Sequence, residues 1–290
     1  MKHIAYLGTG LLGSGFVQAA VKRGDQVTVW NRTTDKARAL EPLGVRVAAT
    51  PADAVRGAAR VHLVLKDDAV VETVVAALRA GLSREAIIVD HTTTQPALTA
   101  ERARRLNAEG VRYLHCPVFI GPAAARESQG TILVSGPRIL FDAVKADLIP
   151  MASRVEYFGE RPDLAAVYKL CGNAFIIGMS ALVSDVFSVA SESHVAPTDA
   201  LRVVELFNPS SIISGRGKKM AAGKFEPSFE LSMARKDVRL MMETAGKRPL
   251  AALPAVAARM DDLIAQEHGD KDLAVLGRDA IDGISTGHRA

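Results

Sequence analysis

His3-Ile4-Ala5-Tyr6-Leu7-Gly8-Thr9-Gly10-Leu11-Leu12-Gly13-Ser14-Gly15-Phe16 stands at the start of the chain, and the spacing of its glycines sets the class of the first domain. An apolar run, His3–Leu7, ends on a G-x-G-x-x-G turn, and a helical pattern, Gly13–Arg23, follows. Strand, glycine turn and helix in that order suit a loop that cradles a pyrophosphate. Gly8 makes the tight turn, Gly10 lets the backbone approach the phosphates, and Gly13 lets helix and strand pack closely. Thr9, Leu11 and Leu12 complete this cofactor loop. The helix start adds free N–H groups and a partial positive charge.

A second strand, Gln26–Trp30, ends at Asn31-Arg32-Thr33. An NAD site would place a carboxylate there for the ribose 2′-hydroxyl. None is present. The planar donor fork of Arg32, with donors from Asn31 and Thr33, suits a 2′-phosphate. The expected cofactor is therefore NADP(H) over NAD(H); the other reading of Arg32 is a surface residue stacked on adenine. Further strands are expected at Val45–Ala48, Val61–Leu65, Ile87–Asp90, Arg112–Cys116, Thr131–Ser135 and Val155–Phe158. Helical patterns such as Thr34–Pro42 and Ala69–Arg79 separate them, which predicts a parallel sheet covered on both faces. The strand ends at Leu65-Lys66 and at Asp90-His91-Thr92-Thr93-Thr94-Gln95-Pro96 should face the cofactor. Hydroxyls of Thr92, Thr93 and Thr94 fit a nicotinamide ribose or a substrate, or else loop and cap bonds. His91, with no visible acidic partner, reads as a loop residue.

Beyond Phe158 no alternating strand recurs. Asp163–Ser191 reads as one long helix, apolar from Leu170 to Val183, that joins two domains and packs in an oligomer, buried on several sides. Helices Thr198–Phe207, Ser232–Ala245, Leu253–Glu267 and one from Asp272 follow, and residues from Gly283 onward read as loose. The division is 1–160, an α/β dinucleotide-binding (Rossmann) domain, and 161–290, an all-α domain for substrate and oligomerisation, with the long helix, 163–191, between them. Lys169 and Asn173 are four apart and share a helix face. A half-buried lysine near other positive charge titrates low and suits a proton donor; the alternative is a helix-end lysine that snorkels to solvent. Arg235-Lys236-Asp237, taken alone, reads as a solvated face.

Composition narrows the function classes. The chain has 290 residues, 48% hydrophobic and 23% charged, which excludes disorder throughout. Aromatics at 5% disfavour a base-stacking nucleic-acid binder. A net charge of +4, spread along the chain, argues only weakly for an anionic partner. Two cysteines, Cys116 and Cys171, lack metal-site spacing and suit a reducing, cytoplasmic setting. Glycines in Ile4–Val21 argue against a signal peptide, and the uncharged run Leu170–Ser184, at 15 residues, is short for a membrane span. The expectation is a soluble protein with neither membrane nor nucleic-acid partner and no metal site.

Four segments in order resemble the β-hydroxyacid dehydrogenase family, which includes 3-hydroxyisobutyrate dehydrogenases and tartronate semialdehyde reductases. Gly8–Gly13 is similar to its cofactor loop, Asp90–Pro96 to D-x-S/T-T-x-x-P, Lys169–Asn173 to K-x-x-N-N, and Phe229 with Lys236-Asp237 to F-x(6)-K-D. The resemblance implies Lys169 as general acid/base and Asn173 as the group that holds the substrate oxygen. It implies Thr93 near the nicotinamide ribose, Lys236 toward nicotinamide and substrate, and a homodimer or homotetramer. The chain departs from the family where P-V-S-G-G becomes Pro117-Val118-Phe119-Ile120-Gly121. The family's Ser and first Gly offer donors to a substrate carboxylate; Phe119 has no hydroxyl and Ile120 removes space, so the substrate segment Phe119, Ile120 and Gly121 should be more apolar. Gly172 replaces the first Asn of the pair, Asp163 and Ala165 replace glycines, and Leu12 replaces a usual Met. The leading expectation is NADPH-dependent reduction of a small semialdehyde-type aldehyde or ketone, or oxidation of the matching hydroxy acid. Imine reductases, similar in fold and in the Asn-Arg-Thr signature, provide one alternative, although they usually lack the lysine. A non-catalytic dinucleotide-dependent scaffold is the other.

Overall fold

The computed structural model describes residues 2–281, so the segment from Gly283 lies outside the described residues. Five strands alternate with helices at the start: β1 His3–Leu7, α1 Leu11–Lys22, β2 Gln26–Trp30, α2 Thr34–Arg38, β3 Arg46–Val47, α3 Pro51–Val55, β4 Arg60–Leu63, α4 Asp68–Leu78, β5 Ile87–Asp90 and α5 Pro96–Ala108. With β6 Arg112–His115 they form a six-stranded parallel sheet in the order β3-β2-β1-β4-β5-β6. The order reverses between β1 and β4, where Leu7 stands opposite both Trp30 and Leu63. Alternate residues of each strand feed two separate cores. Ile4 and Tyr6 pack with Phe16, Val17, Phe141 and Val144, while Ala5 and Leu7 pack with Val71, Val75, Leu78 and Leu106.

The expectation of one parallel sheet fails past β6. Pro117 has no N–H for a ladder, and the chain turns into β7 Val118–Phe119, a strand absent from the sequence reading. After α6 Pro122–Arg126, β8 Thr131–Val134 pairs antiparallel with β7. Following α7 Arg138–Leu148, β9 Arg154–Tyr157 pairs parallel with β8, giving a second sheet of three strands. Eleven residues part β7 from β8, a connection that permits an antiparallel return but is short for a parallel crossover.

Helix α8 spans Leu164–Glu192, and the division between two compact units falls inside it, after Asn173. At 29 residues it is long and apolar enough, by length and composition, to cross a membrane, whereas its uncharged run alone looked too short. The expectation that it is buried on several sides also fails for the single chain: Phe175, Ile176, Ile177, Met179 and Leu182 are exposed. The second unit continues with α9 Pro197–Ala200, α10 Pro209–Ala221, α11 Leu231–Ala245, α12 Leu253–Ala265 and α13 Arg278–Ile281. The single helix expected over Thr198–Phe207 is instead α9 and a 3₁₀ turn, Leu201–Glu205. Helix α10 was not foreseen, although its signals are standard: Asn208 accepts the Ser211 N–H as a cap and Pro209 takes the first position. Leu231, Val238, Leu253, Met260 and Leu263 form this unit's core. The Asp185 carboxylate accepts the backbone N–H groups of Ala251, Ala252 and Leu253 and so anchors the start of α12.

Candidate active site

The glycine loop lies where the strand order reverses, at the carboxyl ends of β1 and β4, the position where such sheets bind ligands. Gly8 has φ +101°, and a Cβ on it would stand 2.2 Å from the Val64 carbonyl oxygen. A Cβ on Gly13 would meet the Gly8 carbonyl oxygen at 2.0 Å, so strand and helix close on each other only through glycine. Gly10 faces open space. It is the N-cap of α1 with no side-chain cap, and the first turn carries no acidic residue, which leaves N–H groups for an anion. The Thr9 hydroxyl is buried without a hydrogen-bond partner among the described residues.

A cleft of about 470 Å³ opens there, lined by this loop, Arg32, Thr33, Lys36, Leu65, Lys66 and, from α4, Val70 and Thr73. Its lining holds three cations and no carboxylate. Among the described residues neither Arg32 nor Lys36 has an acidic partner, and Lys66 stands 3.9 Å from Asp67. Lys36 was missed by the sequence reading; its only signal is its place, three residues past Thr33 at the start of α2. Asn31, expected as a phosphate donor, also serves the loop itself: its Oδ1 accepts the Thr9 N–H (3.0 Å) and one Nδ2–H donates to the Thr33 carbonyl (2.9 Å), which leaves its second N–H at the cleft. It locks the glycine loop to the end of β2. Leu11 is 77% exposed, while Leu12 and Leu65 lean on the two cores. The uncapped helix start, the open face of Gly10 and the cations together fit a phosphorylated dinucleotide.

The Asp90–Pro96 loop is held by its own bonds. Asp90, fully buried, accepts the Thr92 N–H (2.9 Å) and the Tyr113 hydroxyl (2.7 Å). Thr92 Oγ1 accepts the Leu65 N–H at 3.1 Å, and the Thr94 hydroxyl lies within bonding distance of Thr99 Oγ1 and His115 Nε2. Thr92 and Thr94, expected beside the substrate, are thus buried in the loop's interior, and Thr93 is the threonine that remains exposed.

Lys169 and Asn173 do share a face of α8: Lys169 Nζ donates to Asn173 Oδ1 at 2.9 Å. The Asn173 amide N–H₂ is left to orient a further oxygen. Half-buried Lys169 is held below the ordinary lysine value by loss of water, not by the neighbouring positive charge expected. Its Nζ stands 4.3 Å from the centroid of the Phe119 ring. Ile120, expected at the substrate, leans on the first core, and Gly121 is exposed as the N-cap of α6. Cys171 is exposed and Cys116 buried.

Residues 3–159 match the NAD-binding domain of 6-phosphogluconate dehydrogenase, and residues 164–278 match the NAD-binding domain of NADP-dependent 3-hydroxyisobutyrate dehydrogenase. The chain belongs to the β-hydroxyacid dehydrogenase superfamily of NAD(P)-binding oxidoreductases. It is 28% identical over 280 residues to the uncharacterized oxidoreductase YfjR of Bacillus subtilis, covering 94% of this chain and 98% of that protein. It is 27% identical to the cytokine-like nuclear factor N-PAC of Anopheles gambiae over 83% of this chain, which spans only 43% of that longer protein. In fold it is similar to the imine reductase from Myxococcus stipitatus in complex with NADP⁺, with a TM-score of 0.84 at 19% identity over 95% of this chain and 99% of that one.

In this oxidoreductase Lys236 lies in the second unit, on α11, half exposed and paired with Asp237 at 2.9 Å. A buried histidine pair escaped the sequence reading. His91 does lie in the loop after β5, but buried: its Nδ1–H donates to the Cys116 carbonyl (2.7 Å), and its Nε2 accepts from His62 Nδ1 (2.9 Å). The Tyr6 ring stacks on His62. Burial pushes His91 down to about 4 and His62 down as well, so both are neutral. The available signal was register, since Tyr6 and His62 stand opposite each other on β1 and β4.

Proposed function

We propose that this oxidoreductase reduces a small aldehyde or ketone with NADPH, or oxidises the corresponding hydroxy compound, with Lys169 as general acid/base. The observation that carries the proposal is the Lys169–Asn173 bond, with the ammonium half-dehydrated and free of any carboxylate partner among the described residues. A bound nicotinamide cofactor supplies or accepts the hydride. Lys169 donates a proton to the substrate oxygen as negative charge develops there, and its lowered pKa eases that transfer. Asn173 holds Lys169 through Oδ1 and orients the same substrate oxygen through Nδ2. Arg32 and Lys36 would hold a 2′-phosphate, the α1 start the pyrophosphate, and exposed Thr93 the nicotinamide ribose. Lys236 keeps its role toward cofactor and substrate on the strength of its motif.

Lys169→Ala tests the assignment. Turnover should fall by about 10²- to 10⁴-fold, with the NADPH Kd, read by cofactor fluorescence, within about twofold of wild type. Reduction by the native protein should lose rate as pH rises through the Lys169 pKa, below the ordinary lysine value of about 10.4. Turnover retained in the variant would remove Lys169 from the mechanism. A non-catalytic scaffold would bind NADPH and turn over nothing.

The assembly in this proposal is a homo-oligomer in a reducing, cytoplasmic setting. A second copy would cover the exposed apolar residues of α8 and those that follow it, such as Leu206 and Phe207 in the bend before α10. Light scattering should give a dimer or tetramer mass. A monomer that partitions into vesicles would point to a membrane instead.

A further inference from the structure

Two departures of this chain from its family, 53 positions apart, meet in space. A Cβ placed on Gly172 would stand 2.2 Å from Cζ of Phe119 and 2.7 Å from Cε1. No side chain fits at position 172 while the ring keeps its place. The ring also covers one side of Lys169, whose ammonium lies 4.3 Å from its centroid. The ammonium's neighbours are thus an aromatic face and the Asn173 amide oxygen, with no hydroxyl at position 119 to assist an anion.

We infer that Phe119 and Gly172 are one specificity element, in which the glycine makes room for the ring and the ring takes the place beside Lys169 that an anionic substrate group would need. The inference rests on the proposed carbonyl reduction and names its substrate class: carbonyl compounds that are uncharged on the side facing the ring. A benzene face carries negative potential, so it attracts the lysine ammonium and repels a carboxylate. It offers no donor, and a carboxylate seated there would give up water without a charge-assisted bond in return. An ester or alkyl group loses no such bond and gains apolar contact. The ring leaves the ammonium's protons directed toward Asn173 and the reacting oxygen, which keeps the proton donor while discarding the anion site.

The test compares 4-oxobutanoate with its methyl ester, a pair that differs in charge and hardly in shape, using the full chain and NADPH. Wild type should favour the ester in kcat/KM by at least about tenfold, the scale of one charge-assisted bond. Phe119→Ser should reduce that ratio. Phe119→Ser with Gly172→Asn should shift it toward the acid by at least about tenfold relative to wild type. Gly172→Asn alone should slow both substrates, because the new side chain displaces the ring. If that single variant does not fold, the Phe119→Ser variant and the double variant carry the comparison. Melting temperatures supply a readout independent of turnover: replacing Gly172 by Ala should lower Tm with Phe119 present and change it little beside Phe119→Ala, a non-additivity expected of touching residues. A wild type that prefers the acid, or a ratio unmoved in Phe119→Ser and in the double variant, overturns the inference while carbonyl reduction stands. Additive Tm effects overturn the pairing of the two residues. A folded, NADPH-binding wild type that oxidises NADPH with neither compound nor any other carbonyl removes the proposed reaction and this inference with it.

Discussion

The glycine-loop cleft and the surroundings of Lys169 lie in the same compact unit but are built from different materials. The cleft is made mostly of backbone: a glycine at φ +101°, a glycine whose Cβ would strike a carbonyl and an uncapped helix start, edged by Arg32 and Lys36, which have no acidic partner among the described residues. The surroundings of Lys169 are made of side chains from β7 and α8, and their character turns on one aromatic ring and one missing Cβ. A site formed by main chain has few substitutes, because no side chain reproduces an amide N–H at a fixed place. A site formed by side chains can be re-tuned by a compensated pair of changes while its lysine stays. The first can therefore be shared across a superfamily, and the second is where one member separates from another.

The sharpest way to break this contrast is Gly13→Ala. Its methyl would force strand and helix apart, and the NADPH Kd should rise by at least about 100-fold, close to 3 kcal/mol, with a lower Tm. Cofactor fluorescence and thermal melting report both, and tight binding in that variant would show the cleft to be as adjustable as the surroundings of Lys169. The loop between them rests on buried, neutral His91, whose pKa is pushed down to about 4 by loss of water. In the unfolded chain it titrates near 6.5, so below that pH the unfolded state binds the extra proton. Stability is then full above about pH 6.5 and falls as pH drops toward 4, by up to about 3 kcal/mol from this group, with His62 acting in the same direction. Urea midpoints at pH 7.5 and pH 5 measure it, and His62→Phe with His91→Leu should flatten the dependence.

Arg32→Ala should weaken NADPH by about 10- to 100-fold, the worth of a charged hydrogen bond, and leave NADH within about twofold. Equal losses for both would make Arg32 an adenine platform rather than a reader of the 2′-phosphate. The smallest effect belongs to the threonine loop. Thr93→Val should cost roughly fivefold in kcat/KM, about one hydrogen bond, with Tm unchanged. Thr92→Val and Thr94→Val should instead lower Tm, since their hydroxyls are bonded inside the loop.

Much of the first domain was legible because local rules govern it. Glycine spacing, apolar strands at regular intervals and the Asn31-Arg32-Thr33 end of β2 lie within a short stretch, and each acts through its own backbone or its neighbours. The candidate site was legible where residues stand one helical turn apart, as Lys169 and Asn173 do. Thr92 and Thr94 stayed open between ligand and loop bonds because the identity of a polar group does not say which partner it will bond. The second sheet, the break after α9 and helix α10 were lost for a related reason: short elements are decided by packing more than by period.

The dinucleotide-binding class of the first domain, the all-helical character of the second, and the placing of Lys169 and Asn173 on one helix face were all readable from the sequence. These depend on chirality, glycine freedom and helical period, which act over a few residues. The pairing of buried, neutral His62 and His91, the meeting of Lys36 and Arg32 at the cleft, and the packing of the Phe119 ring against Gly172 needed the tertiary structure. Those facts depend on which distant side chains share one volume, and excluded volume and loss of water act only after the chain has brought them together.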